Sequence, residues 1–271
     1  MDLDRRRYAK DNYVYLLSEG SDAALVDPGD PDVARALAAA HGLRPRWILH
    51  THGHADHSGG SAALRAELGV VVLGHAADGG WFRPDEDVAG RAELALGALR
   101  VRVHAAPGHT PGSVLYEAGG ALLTGDTLFW GGAGNCRHGG DPARLAVTFL
   151  GTLAALDGEL RVHPGHDYAE ANLPFALDLE PGNAAIRARL EAVRRARAAG
   201  REPDAPTLAV ERAVNPFLRV AEPAVAEAIA RRAPGAGGDP AARFVALRGL
   251  RDGWQGVEEG RARSGSPSSP A

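Results

Sequence analysis

The chain has 271 residues, of which 45% are hydrophobic, and a formal net charge of −4 at pH 7. Its length allows a large buried core, and its one cysteine, Cys136, excludes an internal disulfide. The slightly acidic balance gives no electrostatic reason to expect a nucleic-acid partner. The charged start MDLDRRRYAKD precedes no apolar h-region, and every apolar run is too short to cross a bilayer, so we expect a cytoplasmic protein without a membrane partner.

The first half of the chain alternates between strand and helix patterns. NYVYLL and AALVD predict paired strands, PDVARALAAAHG predicts a helix that ends at Gly42, and RWILHTH predicts another strand. SAALRAELG predicts a helix that stops at Gly69, and VVVLGH and LRVRVHAAPGH predict further strands. SVLYEAGGALLTGD predicts a hairpin about Gly119 and Gly120. This order indicates an α/β fold that includes antiparallel hairpins.

The second half becomes helical. DPARLAVTFLGTLAAL predicts a helix with Asp141 as N-cap and Pro142 as its first residue, and RVHPGHDY predicts a last short strand. NAAIRARLEAVRRARAAG, PAVAEAIARRA and DPAARFVALRGLRD then predict helices. We therefore expect a main α/β domain over residues 1–172, a helical domain over 173–258, and a disordered tail over 259–271 that lacks apolar anchors.

The stretch THGHADHSGG, residues 51–60, concentrates metal-ligand side chains. Its first two histidines are two residues apart and point the same way in an extended chain, whereas the aspartate and the third histidine lie where the chain turns towards the helix near Ser61. Three further candidates each follow a predicted strand and stand next to glycine. The candidate ligands are His52, His54, Asp56, His57, His109, Asp126 and His166.

Seven ligands are too many for one tetrahedral ion, so the set predicts two divalent ions, one held by three histidines and the other by a mixed set. Imidazole and carboxylate without thiolate suit zinc, which we expect, as well as iron or manganese. Two such ions about 3.5 to 4 Å apart generate a bridging hydroxide at neutral pH, which predicts hydrolysis. Asp126 is the best candidate for the bridging carboxylate, and Asp56 could both ligate a metal and hydrogen-bond the hydroxide.

The same residues carry a family resemblance. THGHADHSGG resembles the T-H-x-H-x-D-H-x-x-G signature of the metallo-β-lactamase superfamily, and PGHT, TGDTLF and PGHDY match its later ligand positions in order. The resemblance implies an αββα sandwich with the metals at one edge between two sheets. This fold hosts many chemistries and does not by itself name a substrate.

A closer resemblance is to glyoxalase II, the hydroxyacylglutathione hydrolase family. DNYVYLL, VDPG, PGHDYAEANLPFALDLEPGN, NPFLRV and RFVALRGLRD are similar to segments of that family over nearly the whole chain. The resemblance implies a catalytic domain over 1–172 and a substrate-binding domain over 173–258. It also implies hydrolysis of S-D-lactoylglutathione, or a related S-(2-hydroxyacyl)glutathione, to a 2-hydroxy acid and glutathione, as in methylglyoxal detoxification.

The resemblance also implies glutathione-binding residues. Tyr168, Arg248 and Arg251 match family positions that hold glutathione, whose two carboxylates guanidinium groups can bind. The segment WGGAGNCRHGGDP departs from the family pattern, because Asn135 stands where the family has a basic residue and Arg137 stands near its aromatic position. Either Arg137 supplies the missing charge, or the acyl and thiol preferences have changed. We interpret Cys136 as an apolar filler, and the role of His138 stays open.

Other functions remain as alternatives. A glutathione persulfide dioxygenase with a single iron would share the core but typically lacks the helical extension. A hydrolase for a different thioester is favoured by the altered 131–140 loop. A silent binding protein is disfavoured because all seven ligand positions are filled, and a β-lactamase because no export signal is evident and Asp56 belongs to a dinuclear hydrolase pattern. The sequence does not indicate an oligomeric state.

Overall fold

The structure is a computed structural model that describes residues 1–256, and it contains two β-sheets. The first sheet has six strands, in the order β1 (Asp2–Tyr8), β2 (Asn12–Glu19), β3 (Asp22–Val26), β4 (Trp47–Leu49), β5 (Val71–Gly74) and β6 (Glu86–Asp87). The second has five strands, in the order β13 (Arg161–Pro164), β10 (Ala121–Gly125), β9 (Val114–Ala118), β8 (Leu99–Ala105) and β7 (Glu93–Leu96). A small ribbon pairs β11 (Leu128–Phe129) with β12 (Gly132–Ala133).

Nine α-helices accompany these strands in the described part of the chain. They are α1 (Pro31–Ala40), α2 (Ala55–Ser58), α3 (Ser61–Leu68), α4 (Pro142–Val147), α5 (Ala169–Leu179), α6 (Ala184–Ala198), α7 (Leu208–Val214), α8 (Pro223–Arg232) and α9 (Pro240–Gly253). Shorter turns of 3₁₀-helix lie at Ala76–Asp78 and Pro216–Leu218, and α4 continues into a π-helical turn at Thr148–Leu153.

The packing produces four layers. One apolar cluster fills the space between the two sheets, with Tyr13, Leu49 and Tyr116 among its buried members. A second cluster packs α1 and α3 onto the outer face of the first sheet. A third cluster runs from the second sheet into the C-terminal helices. The predicted α/β class and αββα sandwich are therefore confirmed.

Most predicted elements form with their predicted end signals. Asp141 accepts hydrogen bonds from the first-turn amides of α4, and Asp239 does the same for α9. Gly42 and Gly69 follow α1 and α3 with positive φ, as left-handed helix ends require. Strand β1 was not predicted, because its sequence DLDRRRY lacks apolar alternation; it pairs with β2 at the sheet edge, where charged side chains are favoured.

The C-terminal helices share one continuous core with the second sheet. Leu115 and Leu122 of that sheet belong to the same buried cluster as Phe217 and Leu247 of the C-terminal region. The expected boundary after residue 172 falls inside α5, so the division at 172 and 173 remains a proposal. The expected disordered tail, 259–271, lies outside the described residues. None of the helices within residues 1–256 has the length and apolar character needed to cross a membrane.

Candidate metal centre

The candidate ligands gather where strands of both sheets end. Strands β8, β10 and β13 run in one direction, so the segments that follow them, which carry His109, Asp126 and His166, emerge at the same edge of the second sheet. His52 follows β4 of the first sheet. The fold therefore brings ligands that are distant in sequence to one edge of the sandwich.

The remaining candidates lie on α2, a separate short helix that the sequence did not predict. His54 is its N-cap residue, and Asp56 and His57 lie within it. Gly59 and Gly60 then separate it from α3, which begins at Ser61 as expected. The turn that was predicted after His54 is thus a single helical turn.

Three histidines form what we call the first group: His52, His54 and His109. Their nearest ring nitrogens all lie within 4.8 Å of one another. His109 Nε2 and His54 Nδ1 are 3.0 Å apart. Burial lowers the pKa of His109 to about 4, which keeps this imidazole neutral near pH 7, the form that binds a metal.

A mixed set forms the second group: Asp56, His57 and His166. Their nearest ligand atoms also lie within 4.8 Å of one another. His57 Nε2 is 3.1 Å from His166 Nε2, and His166 Nε2 is 3.2 Å from Asp56 Oδ2. This combination of imidazoles and one carboxylate matches the mixed set predicted from the sequence.

Asp126 lies between the two groups. Its carboxylate oxygens are 3.4 Å from both His57 Nε2 and His166 Nε2 of the second group, and 3.7 Å from His109 Nε2 of the first. Within residues 1–256, the buried atoms Asp126 Oδ1 and His52 Nε2 have no hydrogen-bond partner. Ring nitrogens that lie 3.0 to 3.1 Å apart around this buried carboxylate fit bound cations.

Glycine permits this close approach. A Cβ atom on Gly165 would lie 2.5 Å from Asp126 Oδ1 and 2.6 Å from His57 Cε1. Any side chain at this position would collide with the side chains of Asp126 and His57. The glycine that precedes His166 is therefore a steric requirement of the centre.

Two carboxylates that the sequence analysis did not single out orient the ligand histidines. Asp27 accepts hydrogen bonds from the Thr51 amide at 2.9 Å and lies 3.3 Å from His57 Nδ1, and Asp11 lies 2.8 Å from His166 Nδ1. Burial alone would raise the pKa of Asp27, but the interactions with the His50 and His57 rings outweigh it and the pKa lies well below its usual value. Such partners fix which ring nitrogen faces a metal. In the sequence, Asp27 and Asp11 are marked only by the position of the segments VDPG and DNY at strand ends.

Main-chain carbonyls of the 131–140 loop orient the first group. Asn135 O is 2.7 Å from His109 Nδ1, and His138 O is 3.1 Å from His54 Nε2. His50 is buried beside Asp27, whereas His163 packs edge-on against Tyr15.

All five predicted substrate-binding residues line one cavity of about 250 Å³, which we call the side cavity; they are Asn135, Arg137, Tyr168, Arg248 and Arg251. The cavity adjoins the second group, because the Tyr168 ring stacks on His166 with centroids 4.9 Å apart and planes 6° from parallel. Phe129 and Asn172 complete its wall.

The three arginines of the side cavity differ in their contacts. Arg248 is only 6% exposed and donates to Ala133 O at 2.7 Å and to Asp252 Oδ1 at 2.8 Å. Arg251 is half-buried, and its one hydrogen bond within the described residues goes from Nε to Asn172, so its terminal nitrogens are left for a ligand. Arg137 has a 61% exposed side chain and donates to Asp252 O.

Cys136 is half-buried between these residues and packs against the third apolar cluster. Burial raises the pKa of its thiol to about 11, which keeps the thiol protonated near neutral pH. A protonated, packed thiol suits an apolar filler rather than a nucleophile.

Comparison with known families matches both parts of the chain. Residues 8–166 match the metallo-β-lactamase superfamily model, and residues 167–254 match the model of the hydroxyacylglutathione hydrolase C-terminus. A hydroxyacylglutathione hydrolase of Anaeromyxobacter dehalogenans (strain 2CP-C) is 70% identical over 253 residues, which are 93% of this chain and 99% of the relative. The chain belongs to the hydroxyacylglutathione hydrolase family. The resemblance to glyoxalase II is thereby confirmed.

Solved structures support the fold of this hydroxyacylglutathione hydrolase family member. The crystal structure of ETHE1 from Myxococcus xanthus superposes with a TM-score of 0.64 and 25% identity, covering 93% of this chain and 98% of its own. The crystal structure of TTHA1623 in a di-iron-bound form has a TM-score of 0.56 and 28% identity, and covers 76% of this chain and 95% of its own. With the ligand groups described above, the fold supports a dinuclear metal centre.

Proposed function

We propose that this protein hydrolyses S-(2-hydroxyacyl)glutathione, with S-D-lactoylglutathione as the reference substrate, to a 2-hydroxy acid and glutathione. The observation that carries the proposal is the position of the side cavity, which adjoins the second ligand group through the stacked Tyr168 and His166 rings. A glutathione moiety in this cavity would place its thioester sulfur beside the ligand groups. The 70% identical relative named hydroxyacylglutathione hydrolase supports the same reaction.

We propose that the two groups and Asp126 hold two divalent ions. We expect zinc; iron and manganese are alternatives, because a set of imidazoles and carboxylates without thiolate suits all three metals. Such ions, when bound, supply a hydroxide nucleophile near neutral pH and polarise the thioester carbonyl. The chain's own contribution is orientation: Asp27 and Asp11 fix the rings of His57 and His166.

Asp56 has a second proposed role. Its Oδ2 accepts a hydrogen bond from Asn12 Nδ2 at 3.0 Å, and half of its side chain is exposed towards the centre's opening. Hydrogen bonds from His166 and Asn12 outweigh the effect of burial and hold the pKa of Asp56 below its usual value. The carboxylate therefore stays ionised and can accept a hydrogen bond from a water molecule. The leaving thiolate needs no acid, because a thiol of pKa near 8.5 is a good leaving group.

We propose that glutathione binds through Tyr168, Arg251, Asn135 and Arg137. The terminal nitrogens of Arg251, which have no partner within residues 1–256, can donate to a glutathione carboxylate, and Arg137 brings a second positive charge to the cavity rim. Arg248 lines the same cavity, but its guanidinium already binds Ala133 O and Asp252, so we propose that it mainly shapes the wall. We further propose a cytoplasmic location, where glutathione is abundant in its reduced form.

The rival class is a persulfide dioxygenase with one iron. The match of residues 167–254 to the hydrolase C-terminus favours hydrolysis over that alternative. A different thioester remains a candidate substrate, because Asn135 and Arg137 of the altered loop line the side cavity.

The test is hydrolysis of S-D-lactoylglutathione by protein of measured metal content. We expect thioester loss that disappears on metal removal, returns on zinc addition, and falls by at least about a thousandfold in Asp126→Ala. Asp141→Ala, which removes only the N-cap of α4, is the matched control and should retain full turnover. Activity that survives metal removal, or an active Asp126→Ala protein, would contradict the proposal.

A further inference from the structure

Trp81 is an aromatic side chain with no assigned role, and it lies at the rim of the metal centre. It is 42% exposed and is the one aromatic residue among the exposed large hydrophobic residues of the described chain. Its ring meets the His54 ring edge-on, with centroids 5.2 Å apart and planes at 89°. A single exposed apolar side chain is common on protein surfaces, so it is the edge-on contact with a candidate ligand that singles out Trp81.

The position of Trp81 is fixed by tight packing. A Cβ atom on Gly53 would lie 3.0 Å from Trp81 Cε3, and a Cβ atom on Gly139 would lie 3.0 Å from Trp81 Cη2. The Trp81 amide donates to Asp78 O at 3.0 Å, and the buried Asp78 carboxylate accepts from the Gly53 and Gly112 amides. The indole therefore stands in a defined place between two glycines.

Trp81 and the side cavity contact different candidate ligands. The residues of the side cavity reach His166 through the Tyr168 ring and His109 through Asn135 O, whereas Trp81 contacts His54. The His138 ring also lies beside His54, with centroids 6.1 Å apart, and the next residue, Gly139, is the one whose Cβ would lie 3.0 Å from Trp81 Cη2. A thioester carbonyl has its sulfur on one side and its acyl group on the other, so glutathione in the side cavity leaves the side of His54 and Trp81 for the acyl substituent.

We propose that Trp81, together with the His138 ring, forms an acyl subsite that favours 2-hydroxyacyl groups with an aromatic or bulky apolar substituent. The inference rests on the proposed thioester hydrolysis and names its acyl preference. It also divides the altered 131–140 loop: Asn135 and Arg137 line the side cavity, while His138 and Gly139 lie on the side of Trp81.

The experiment compares kcat/KM for S-mandeloylglutathione and S-D-lactoylglutathione in wild type, Trp81→Ala and Trp81→Phe. We expect Trp81→Ala to lower kcat/KM about tenfold for the mandeloyl thioester, because an aromatic contact is lost, and less than about threefold for the lactoyl thioester. Trp81→Phe keeps an aromatic ring and should recover most of the mandeloyl rate. Leu150→Ala, which removes a similarly exposed apolar side chain (38%) from a helix without ligands, should change neither.

Any of the following results would overturn the inference. Equal losses for both thioesters, accompanied by reduced metal content, would mean that Trp81 only supports His54. An unchanged mandeloyl rate in Trp81→Ala, or a wild type that cleaves the lactoyl but not the mandeloyl thioester, would rule out the acyl subsite while leaving the proposed function intact. A metal-loaded wild type that cleaves neither would remove the proposed function as well.

Discussion

Arg248→Ala is expected to lower the free energy of unfolding by about 3 kcal/mol, because the buried Arg248 side chain holds the β11–β12 ribbon in place. Its guanidinium donates to Ala133 O at 2.7 Å and lies 5.1 Å from the Phe217 ring centroid. A hydrogen bond to a charged group contributes roughly 1.5–3 kcal/mol, and a cation–π contact about 1 kcal/mol. The pair with Asp252, whose side chain is 28% exposed, adds little.

Urea and thermal denaturation measure this effect. A loss of about 3 kcal/mol corresponds to a fall in Tm of roughly 6–12 °C for a domain of this size. Arg231→Ala on α8, which removes a 69% exposed arginine, is the control and should cost less than about 0.5 kcal/mol. If Arg248→Ala is as stable as wild type and only its KM rises, the structural role of Arg248 is refuted and Arg248 is assigned to direct glutathione binding.

Three further predictions concern binding, metal retention and pH. Arg251→Ala should raise KM for S-D-lactoylglutathione about tenfold with little change in kcat, since one charge-assisted hydrogen bond to the substrate is lost; an unchanged KM would remove Arg251 from the site. Asp11→Asn should weaken metal binding about 10- to 100-fold, because His166 loses its carboxylate partner; elemental analysis after dialysis against a chelator checks this, and full retention of both ions would contradict it. Burial raises the pKa of Glu211 from 4.5 to about 7, so the stability that neutral Glu211 contributes is full below about pH 4.5 and is lost as the pH rises through about 7. Wild type should therefore lose stability relative to Glu211→Gln between about pH 5 and pH 7.5 in urea denaturation, and parallel curves would refute this.

The candidate metal ligands could be singled out because the chemistry limits the choice of residues. Few side chains bind divalent metals, and His109, Asp126 and His166 each stand beside glycine directly after an apolar strand. A strand end is a local feature that the sequence encodes. The common edge at which these strand ends meet follows from the sheet order, which the family resemblance supplied.

The supporting contacts could not be predicted in the same way, because they depend on distant pairing. Asp11 reaches His166 across 155 positions, and Arg248 reaches Ala133 across 115. Both residues are of types that usually lie on the surface, so the sequence alone offers no reason to place them against these partners. Trp81 was missed for a similar reason, since its neighbours Gly53 and Gly139 come from two separate loops.

The most direct test of the central claim gives one metal-loaded preparation two substrates in parallel. S-D-lactoylglutathione is followed by thiol release, and glutathione persulfide is followed by oxygen consumption. A thioester hydrolase with a dinuclear centre should release thiol in a metal-dependent manner and consume no oxygen above background. Oxygen consumption without thiol release would contradict the account and assign the protein to the dioxygenase class.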